Sequence, residues 1–343
     1  MGHIDPLEEH RMGQGGNNLQ NIIAVSITAL LLLFLAPVLL FDVEEESDIE
    51  SACLIVEQWD KKENIDNINT ILLKTKDGLQ ELLLEEYLIS VVLSEMPPSF
   101  ETEALKAQSV AARTFALKQL AGGKHESADI CSSSACCQAW KSEAELKQCY
   151  GNQYGQYWEK IKQAVVSTAG EVLTYNGELI DAVYFSSSGG LTENAAEVWG
   201  SDVPYLQSVP SDGEQISDLY LNRKEIPIDD FCKTLQTENN KVCFEGKPSS
   251  WFGEISLTKG GGVKEIVIGG VPFTGTRLRA LFDLNSTKFT VEIGNHICFV
   301  VSGYGHRVGM SQYGANVLAK QGKSYEEILL HYYTGVKLDI KNP

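Results

Sequence analysis

An uncharged apolar segment near the N-terminus constrains this chain more than any other feature. Residues 22–41 read IIAVSITALLLLFLAPVLLF, in which Ser26 and Thr28 are the only polar side chains. About 20 apolar residues are enough for a helix to cross the hydrocarbon core of a bilayer. The segment therefore predicts a transmembrane anchor over residues 22–41.

Two other interpretations of this segment are a buried core helix and a cleaved signal peptide. A core helix rarely lacks polar residues on every side, and a signal peptide ends in small residues that form a cleavage site. The sequence that follows the segment, DVEEESDIES, is acidic and unlike such a site. The pattern therefore favours a retained anchor.

The few basic residues around the anchor indicate its orientation. Arg11 is the only Lys or Arg before the anchor, and the next one along the chain is Lys61. Because basic flanks stay in the cytoplasm, residues 1–21 are predicted to be a cytoplasmic tail, with the main part of the chain outside the cytoplasm. Residues 42–69 are acidic and poorly periodic, which is typical of a spacer above the membrane.

The composition is that of a folded globular protein, and it excludes one class of partner. The chain has 343 residues, of which 43% are hydrophobic and 22% charged, so a sizeable core is expected. Lys and Arg number 28 against 46 Asp and Glu, for a formal charge of -18. Binding to a nucleic-acid backbone depends on cations that displace counterions, so no nucleic-acid partner is expected.

Local signals beyond the spacer alternate between hairpins and helices. An Asp-Gly pair at residues 77–78 and an Asn-Gly pair at residues 176–177 each separate two apolar runs, as in β-hairpins. Residues 84–95 have helical apolar spacing, and the two prolines that follow end that helix. Ser99 is predicted to cap the next helix, which ends at the glycine pair 122–123.

The same signals predict a mixed α+β fold made of two lobes. Short alternating runs over residues 201–295 indicate an inserted α+β subdomain. The flanking parts, residues 70–200 and 296–343, are predicted to form the catalytic region together.

Three loops contain residues suited to binding or catalysis, namely 94–98, 186–193 and 303–315. Glu95 ends a helix beside two prolines, where burial would raise the pKa of its carboxyl group and keep it protonated for general-acid work. The alternative is an ordinary surface glutamate. The loop of residues 186–193, here called the Ser/Gly loop, could bind a ligand or be a simple turn. The G-x-S-x-G motif typical of many Ser-His-Asp hydrolases does not occur in the sequence.

Taken together, the segments around these loops resemble the stage II sporulation protein D family. The likeness runs in order through EEYLISVVLSEMPPSFETEALKAQSVAARTFAL, FSSSGGLTENAAEVW, GTRLRALFDLNSTKFTV and GYGHRVGMSQYGANVLAKQGKSYEEILLHYYTGVKL. The resemblance implies a peptidoglycan lytic transglycosylase that acts during engulfment of the forespore, with Glu95 as its catalytic acid. It also implies a glycan-binding groove and a single anchor in the cell membrane, with the catalytic domain outside the cytoplasm in the space between mother cell and forespore.

The implied reaction cleaves the bond between N-acetylmuramic acid and N-acetylglucosamine and closes a 1,6-anhydro ring. The C6 hydroxyl of the same sugar is the nucleophile, so a second carboxylate is not required. Five residues are candidates for binding the sugar, and the alternative for each is a role in the scaffold. They are Arg113, Ser188, His306, Gln312 and Tyr313.

The family also implies partners. These are glycan strands stripped of their stem peptides and the stage II sporulation proteins P and M, of which the former removes the peptides. The main alternative function is a non-enzymatic enhancer of a cell-wall amidase, which would need no proton donor at Glu95. A zinc-dependent amidase is disfavoured because the chain has no H-E-x-x-H motif.

Two positions depart from the family pattern. Arg307 stands where a glycine is expected in a GHGVGMSQ-like motif. If that position needs a positive φ, an arginine there costs stability or the loop differs. A histidine is also expected near Phe185 and is missing, so no histidine of that loop is assigned to the chemistry.

A cluster of metal-binding residue types follows the second helix, in the sequence HESADICSSSACCQAW. Imidazole and thiolate groups in one short loop suit tetrahedral zinc, and the resemblance puts Cys131 and Cys137 where the family has paired cysteines. Zinc bound by His125, Cys131 and Cys137 is the first interpretation, with Glu95, another cysteine or water completing the shell. A disulfide, suited to a compartment outside the cytoplasm, and free thiols are the alternatives.

The remaining cysteines are scattered along the chain. Cys232 and Cys243 are candidates for a separate disulfide. Cys53 and Cys298 are predicted to be unpaired.

Overall fold

A computed structural model describes residues 70–341 of the chain. The predicted tail, anchor and spacer, and also Cys53, lie outside the described residues. Within residues 70–341, no helix is both long and apolar enough to cross a membrane. This part of the chain is a mixed α+β domain, as the sequence predicted.

The domain begins with a hairpin that leads directly into its central helices. Strands β1 (Thr70–Thr75) and β2 (Gly78–Leu83) pair antiparallel around the predicted Asp-Gly turn. Gly78 has a φ of 127°, a conformation that residues with a Cβ atom rarely adopt. Helix α1 (Leu84–Glu95) follows without a break, and its inner residues are fully buried, as its apolar spacing predicted.

Helix α1 ends at Glu95 because Met96 takes an extended conformation immediately before Pro97. Helix α2 (Thr102–Gly122) then begins after Glu101, which has no side-chain capping bond. The prediction that Ser99 caps this helix is wrong, because a turn from Pro97 to Phe100 separates Ser99 from the helix. Gly123 ends α2 in the left-handed conformation, with a φ of 59°, as predicted.

The chain continues through short elements on the way to the second half of the domain. They are β3 (Ile130–Cys131), α3 (Glu143–Tyr150), α4 (Tyr154–Ser167), β4 (Glu171–Tyr175), β5 (Glu178–Leu179), β6 (Tyr184–Phe185), β7 (Gly190–Leu191), α5 (Ala195–Trp199) and β8 (Pro210–Ser211). The hairpin predicted at the Asn-Gly pair is formed by β4 and β5. Strand β3 extends the first hairpin by pairing parallel to β1.

The second half of the described chain contains two three-stranded sheets and four α-helices. Its elements are β9 (Leu221–Pro227), α6 (Ile228–Glu238), β10 (Phe252–Leu257), β11 (Val263–Ile268), β12 (Val271–Thr274), α7 (Gly275–Phe282), β13 (Phe289–Ile293), β14 (His296–Ser302), β15 (Met310–Ser311), α8 (Gln312–Lys320), α9 (Tyr325–Tyr332) and β16 (Lys337–Ile340). The sheets are β10-β11-β12 and β13-β14-β9. The C-terminal strands then pair with the first half, β15 with β6 and β16 with β4.

The buried apolar side chains form two clusters. The first surrounds α1 and α2 and includes residues of the C-terminal helices, such as Tyr332. The second includes stacked Phe231 and Phe282, with ring centroids 5.3 Å apart. Its members run from Phe231 to Val301, and β9 pairs with β14 across the predicted boundary at residue 295. The proposed bounds of the inserted subdomain stay a prediction.

The cysteines of the second half are not bonded to each other. Cys232 lies on α6, whereas the thiol of Cys243 is directed at the carboxylate of Glu245, 3.4 Å away. The disulfide considered for Cys232 and Cys243 is therefore absent from the structure. Cys298 is buried in β14 and unpaired, in agreement with the sequence analysis.

Candidate functional site

A cavity of about 650 Å³ opens where the end of α1 meets loops from the middle and the C-terminal part of the chain. The predicted residues Glu95, His306, Gln312 and Tyr313 all line it, although they are far apart in sequence. The cavity is also lined by residues that the sequence analysis did not single out as functional. Among them are Gln138, Tyr184, Ser186, Leu219, Arg279 and Tyr304.

Glu95 is the only carboxylate that lines this cavity in the described part of the chain. Its Oε1 atom accepts a hydrogen bond from the backbone N–H of Ala139, at 2.5 Å. Burial raises the pKa of the Glu95 carboxyl group, and the bond from Ala139 opposes this rise in part. The position at the negative end of a helix also favours the neutral acid. The environment is suited to a proton donor.

A buried hydrogen-bond network holds the segment that contacts Glu95. The amide of Gln138 donates to the hydroxyl of Tyr184 at 3.0 Å and to the carbonyl of Ala112 at 3.3 Å, and it accepts from the hydroxyl of Tyr87 at 3.0 Å. These bonds use both ends of the amide, so its orientation is determined. The network therefore fixes the backbone at Ala139, from which the bond to Glu95 arises.

His306 lies on the wall of the cavity between two aromatic side chains. Its ring centroid is 5.7 Å from that of Phe185 and 5.4 Å from that of Trp199. Burial and the positive charge of Arg279 lower the pKa of His306 to about 4. Because Nδ1 accepts a hydrogen bond from the N–H of Val308 at 3.1 Å, the proton of the neutral ring is assigned to Nε2.

Gln312 and Tyr313 enter the cavity from the first turn of α8. The side chain of Ser311 caps this helix by accepting from the N–H of Gly314. Tyr313 packs edge-on against Phe100, with ring centroids 5.0 Å apart. The backbone of the same residue is anchored by a 3.0 Å bond to the carbonyl of Ser186. Their positions are therefore set by a helix start and by contact with the Ser/Gly loop.

Two predicted sugar-binding residues lie outside the cavity. The guanidinium of Arg113 is 1% exposed and binds Glu85 through two bonds of 2.9 and 2.7 Å. Ser188 is fully buried, and its hydroxyl donates to the carboxylate of Glu214 at 2.7 Å. The structure does not bring these two residues to the site, and their contacts are those of the scaffold.

Arg307 has the positive φ that its place in a glycine motif suggested, at 67°. It is fully buried, and its guanidinium donates to Glu193 at 3.1 Å and to the carbonyls of Ser188 at 2.7 Å and Leu191 at 2.8 Å, and to that of Gly260. The backbone strain at this position is therefore balanced by bonds that a glycine cannot make. They hold the Ser/Gly loop against the loop that carries His306.

The predicted metal ligands lie together on the loop between α2 and α3, and a fourth donor joins them. Donor atoms of His125, Cys131, Cys136 and Cys137 all lie within 4.8 Å of one another. The Sγ atoms of Cys136 and Cys137 are 3.8 Å apart, and Nε2 of His125 is 3.2 Å from Cys137 and 3.9 Å from Cys136. Zinc bonds of about 2.3 Å to sulfur and 2.0 Å to nitrogen give tetrahedral edges of about 3.5–3.8 Å.

The arrangement therefore fits a metal ion better than it fits a single disulfide. Cys136 was noted in the sequence but was not among the three predicted ligands, and only its convergence with the other donors identifies it. Burial raises the pKa of the Cys137 thiol to about 12. A bound cation would stabilise the thiolate and lower this pKa. Cys137 also lines the cavity, so the cluster and the site share a wall.

Comparison with known proteins agrees with this architecture. A model of a family described as stage II sporulation protein matches residues 74–175. Stage II sporulation protein D of Bacillus subtilis (strain 168) is 40% identical over 266 residues, which cover 76% of this chain and 76% of that protein. Stage II sporulation protein D of Bacillus amyloliquefaciens is 38% identical over 266 residues, which cover 76% of this chain and 75% of that protein. The amidase enhancer of Bacillus subtilis (strain 168) is 30% identical over 300 residues, which cover 72% of this chain and 39% of that protein.

These similarities place the chain among the stage II sporulation proteins. The two matches to stage II sporulation protein D are more specific, because each covers about three quarters of this chain and of the matched protein. The chain belongs to the stage II sporulation protein D family, as its motifs predicted.

Proposed function

We propose that this sporulation protein is a lytic transglycosylase that cleaves glycan strands of peptidoglycan between N-acetylmuramic acid and N-acetylglucosamine. The observation that supports this most directly is that Glu95 is the single carboxyl group among the described residues that line the cavity. Glycosidases that use water or a covalent intermediate need two carboxyl groups on either side of the bond. A reaction whose nucleophile is a hydroxyl of the substrate itself needs only one.

Glu95 would transfer a proton twice in this reaction. As the neutral acid it protonates the glycosidic oxygen that leaves, and Oε2 is the oxygen available for this because Oε1 is bonded to Ala139. The resulting carboxylate then accepts the proton of the C6 hydroxyl, whose oxygen attacks the anomeric carbon and closes the 1,6-anhydro ring. The bond from Ala139 stabilises the carboxylate between the two steps.

The other polar groups of the cavity would position the sugars. The neutral ring of His306 offers an N–H donor, and the Gln312 amide and the Tyr313 hydroxyl offer further bonds to hydroxyl and acetamido groups. Aromatic walls such as Phe185 would exclude water from the reacting centre. Exclusion of water favours ring closure over hydrolysis.

We also propose that His125, Cys131, Cys136 and Cys137 bind a zinc ion with a structural role. Four protein donors of this kind are typical of closed sites that hold a loop in place. The loop that they form leads directly to Gln138 and Ala139, which contact the network behind Glu95. The chemistry of the ion would be limited to fixing this loop.

The setting of the protein is part of the same proposal. We place residues 22–41 in the cell membrane and the described domain outside the cytoplasm, between mother cell and forespore. There it would act on strands stripped of their stem peptides, together with the stage II sporulation proteins P and M. A glycan-binding groove would extend from the cavity that contains Glu95.

A second candidate function is a non-enzymatic enhancer of a cell-wall amidase. The similarity to the amidase enhancer of Bacillus subtilis favours it, although this chain covers only 39% of that protein. A protein of this kind would bind glycan and would not need an acid in the cavity. The two functions therefore differ in what the loss of the Glu95 proton does.

The test is to incubate the full-length protein with peptide-free glycan strands and to determine the mass of the products. Glu95→Gln keeps the size of the side chain but removes its ionisable proton, so the cleavage rate should fall by about 10²-fold or more. Glu101→Gln, an exposed position nearby, is the matched control and should retain activity. Products should end in the 1,6-anhydro form, about 18 mass units below the hydrolytic product, because no water is added.

The contrary outcomes are distinct. Near-normal turnover by Glu95→Gln would assign the chemistry to another group. A reducing muramic acid end would make the protein a hydrolase of the lysozyme type. Strand binding without any cleavage by the unmodified protein would favour the enhancer.

A further inference from the structure

Among the described residues that line the cavity, one has a cationic side chain. Arg279 lies on α7, and its guanidinium lines the cavity together with Glu95 and His306. Its Nε–H donates to the carbonyl of Leu284 at 3.1 Å, which holds the guanidinium plane in position. Within residues 70–341, its two Nη groups make no hydrogen bond or ion pair to another side chain. The two Nη groups of Arg279 are thus available to donate hydrogen bonds to a ligand in the cavity.

This arrangement differs from that of the other buried arginines. Arg113 is paired with Glu85, and Arg307 is paired with Glu193. A half-buried charge that forms no ion pair within the described part of the chain is costly. Burial lowers the pKa of Arg279, only partly opposed by Tyr304 and Asp283. An anion from outside the protein would remove this cost, so the position is suited to binding one.

The chemistry of the proposed substrate limits which anion this can be. The repeating disaccharide of a glycan strand has a single ionisable group, the carboxyl of the lactyl ether on N-acetylmuramic acid. This carboxyl is a free carboxylate only after the stem peptide has been removed, because it is otherwise part of an amide bond. Arginine binds a carboxylate through two parallel hydrogen bonds, and an amide cannot accept both.

We infer that Arg279 binds the free lactyl carboxylate of N-acetylmuramic acid and thereby selects strands that have lost their stem peptides. This inference rests on the proposed glycan substrate, but it does not require that the strand be cleaved. The exposed rings beside the site are consistent with a sugar there. Tyr304 is 43% exposed and lines the cavity, and Trp199, 46% exposed, packs on His306 at its wall.

The test measures binding rather than turnover, with full-length protein carrying Glu95→Gln so that no strand is cut. Three strands of equal length are compared: one with free lactyl carboxylates, one with these groups converted to methyl amides, and one with intact stem peptides. The carboxylate strand should bind about tenfold or more tightly than the amide strand. The preference should weaken as salt is added.

Two substitutions then assign the preference to Arg279. Arg279→Gln should bind the carboxylate and amide strands equally, and Arg279→Lys should retain only part of the preference because it lacks the planar fork. Arg277→Gln is the matched control, since Arg277 lies on the same helix but is exposed and paired with Glu238. It should leave the preference unchanged.

Other results would overturn the inference. Equal binding of the carboxylate and amide strands by the protein that carries Glu95→Gln alone would show that no cationic side chain recognises the lactyl carboxylate. Tighter binding of the peptide-bearing strand would mean that the cation binds the peptide instead. A preference that survives Arg279→Gln would assign it to another residue. A preference that depends on Arg279 in a protein that never cleaves strands would retain this inference and overturn only the proposed catalysis.

Discussion

Burial shifts the pKa values of two titratable residues that line the cavity. It raises the pKa of Glu95 and, with the charge of Arg279, lowers that of His306 to about 4. Both shifts favour the neutral form of the side chain, as expected in a site with apolar walls. The same cavity therefore contains a carboxyl group and an imidazole whose surroundings both disfavour the charged form.

The shift of His306 predicts a dependence of stability on pH. Its pKa is about 4 when folded and 6.5 when unfolded, so the folded pKa is the lower one. The stability that it contributes is present above pH 6.5 and is lost as the pH falls towards 4, because the unfolded chain binds the proton first. Complete loss of this contribution would lower the free energy of unfolding by up to about 3 kcal/mol.

Melting temperatures of the wild type and of His306→Gln between pH 7 and about 4 would measure this contribution. The wild type should lose stability more steeply than the variant within that window. His296→Gln, at an exposed site, is the control and should follow the wild type. Parallel curves for His306→Gln and the wild type would contradict the assignment.

At the scale of elements, the loop between α2 and α3 connects the cluster of His125, Cys131, Cys136 and Cys137 to the segment that contacts Glu95. Cys131 lies in β3, which is paired to β1, so one end of the loop is fixed by a sheet. The other end passes through Cys137 to Gln138 and Ala139, whose bonds orient Glu95. Fixing the four donors therefore limits the motion of a wall of the cavity.

We predict one zinc ion per chain in protein purified without added metal. Chelation should lower the melting temperature and the activity together, because the loop that supports Glu95 loses its constraint. Cys136→Ser should weaken zinc binding by about tenfold or more if this thiol is a ligand. Cys149→Ser, at an exposed cysteine on α3, should not change it. Elemental analysis and a free-thiol count provide readouts that do not depend on activity.

Three results would decide against this ligand set. Absence of metal, with Cys131 and Cys137 bonded to each other, would replace the zinc site by a disulfide. Unchanged zinc affinity in Cys136→Ser would exclude that thiol. Activity that rises on chelation would mean that Glu95 itself is a ligand, since the ion would then compete with its role as an acid.

At the scale of the whole molecule, Arg307 links loops that are far apart in the sequence. Its guanidinium binds carbonyls of the Ser/Gly loop at Ser188 and Leu191 and also the carbonyl of Gly260, in the turn between β10 and β11. Glu193 receives one of its bonds and is itself fully buried. Removing one partner of such a pair leaves a buried charge uncompensated.

We predict that Arg307→Gly lowers the free energy of unfolding by about 2–4 kcal/mol. The loss of the buried pair costs about 3–5 kcal/mol, and about 1 kcal/mol is regained because glycine tolerates the positive φ. Adding Glu193→Gln should recover part of the loss by removing the unpaired charge. Urea unfolding of the single and the double variant measures these changes. Arg223→Ala, at an exposed position, is the control and should have a much smaller effect. A more stable Arg307→Gly would show that backbone strain outweighs the bonds.

Local interactions made several features predictable from the sequence. The hairpin at Asp77-Gly78, the end of α1 before Pro97 and the close of α2 at Gly123 depend on φ preferences and apolar spacing within a few residues. The order of the motifs along the chain was sufficient to predict the family to which it belongs. Glu95, His306, Gln312 and Tyr313 were candidates because of the loops and motifs that contain them, and all four line one cavity. Their roles stay predictions.

Only the tertiary structure decided which charged side chains line the cavity. The sequence analysis assigned Arg113 to the sugar, whereas long-range packing pairs it with Glu85, and Arg279, on another helix far along the chain, faces the cavity instead. The identity of the fourth donor, Cys136, depended in the same way on the path of a loop. An arginine has the same charge in either setting, and whether that charge is available to a ligand depends on the carboxylates that folding brings within reach of it.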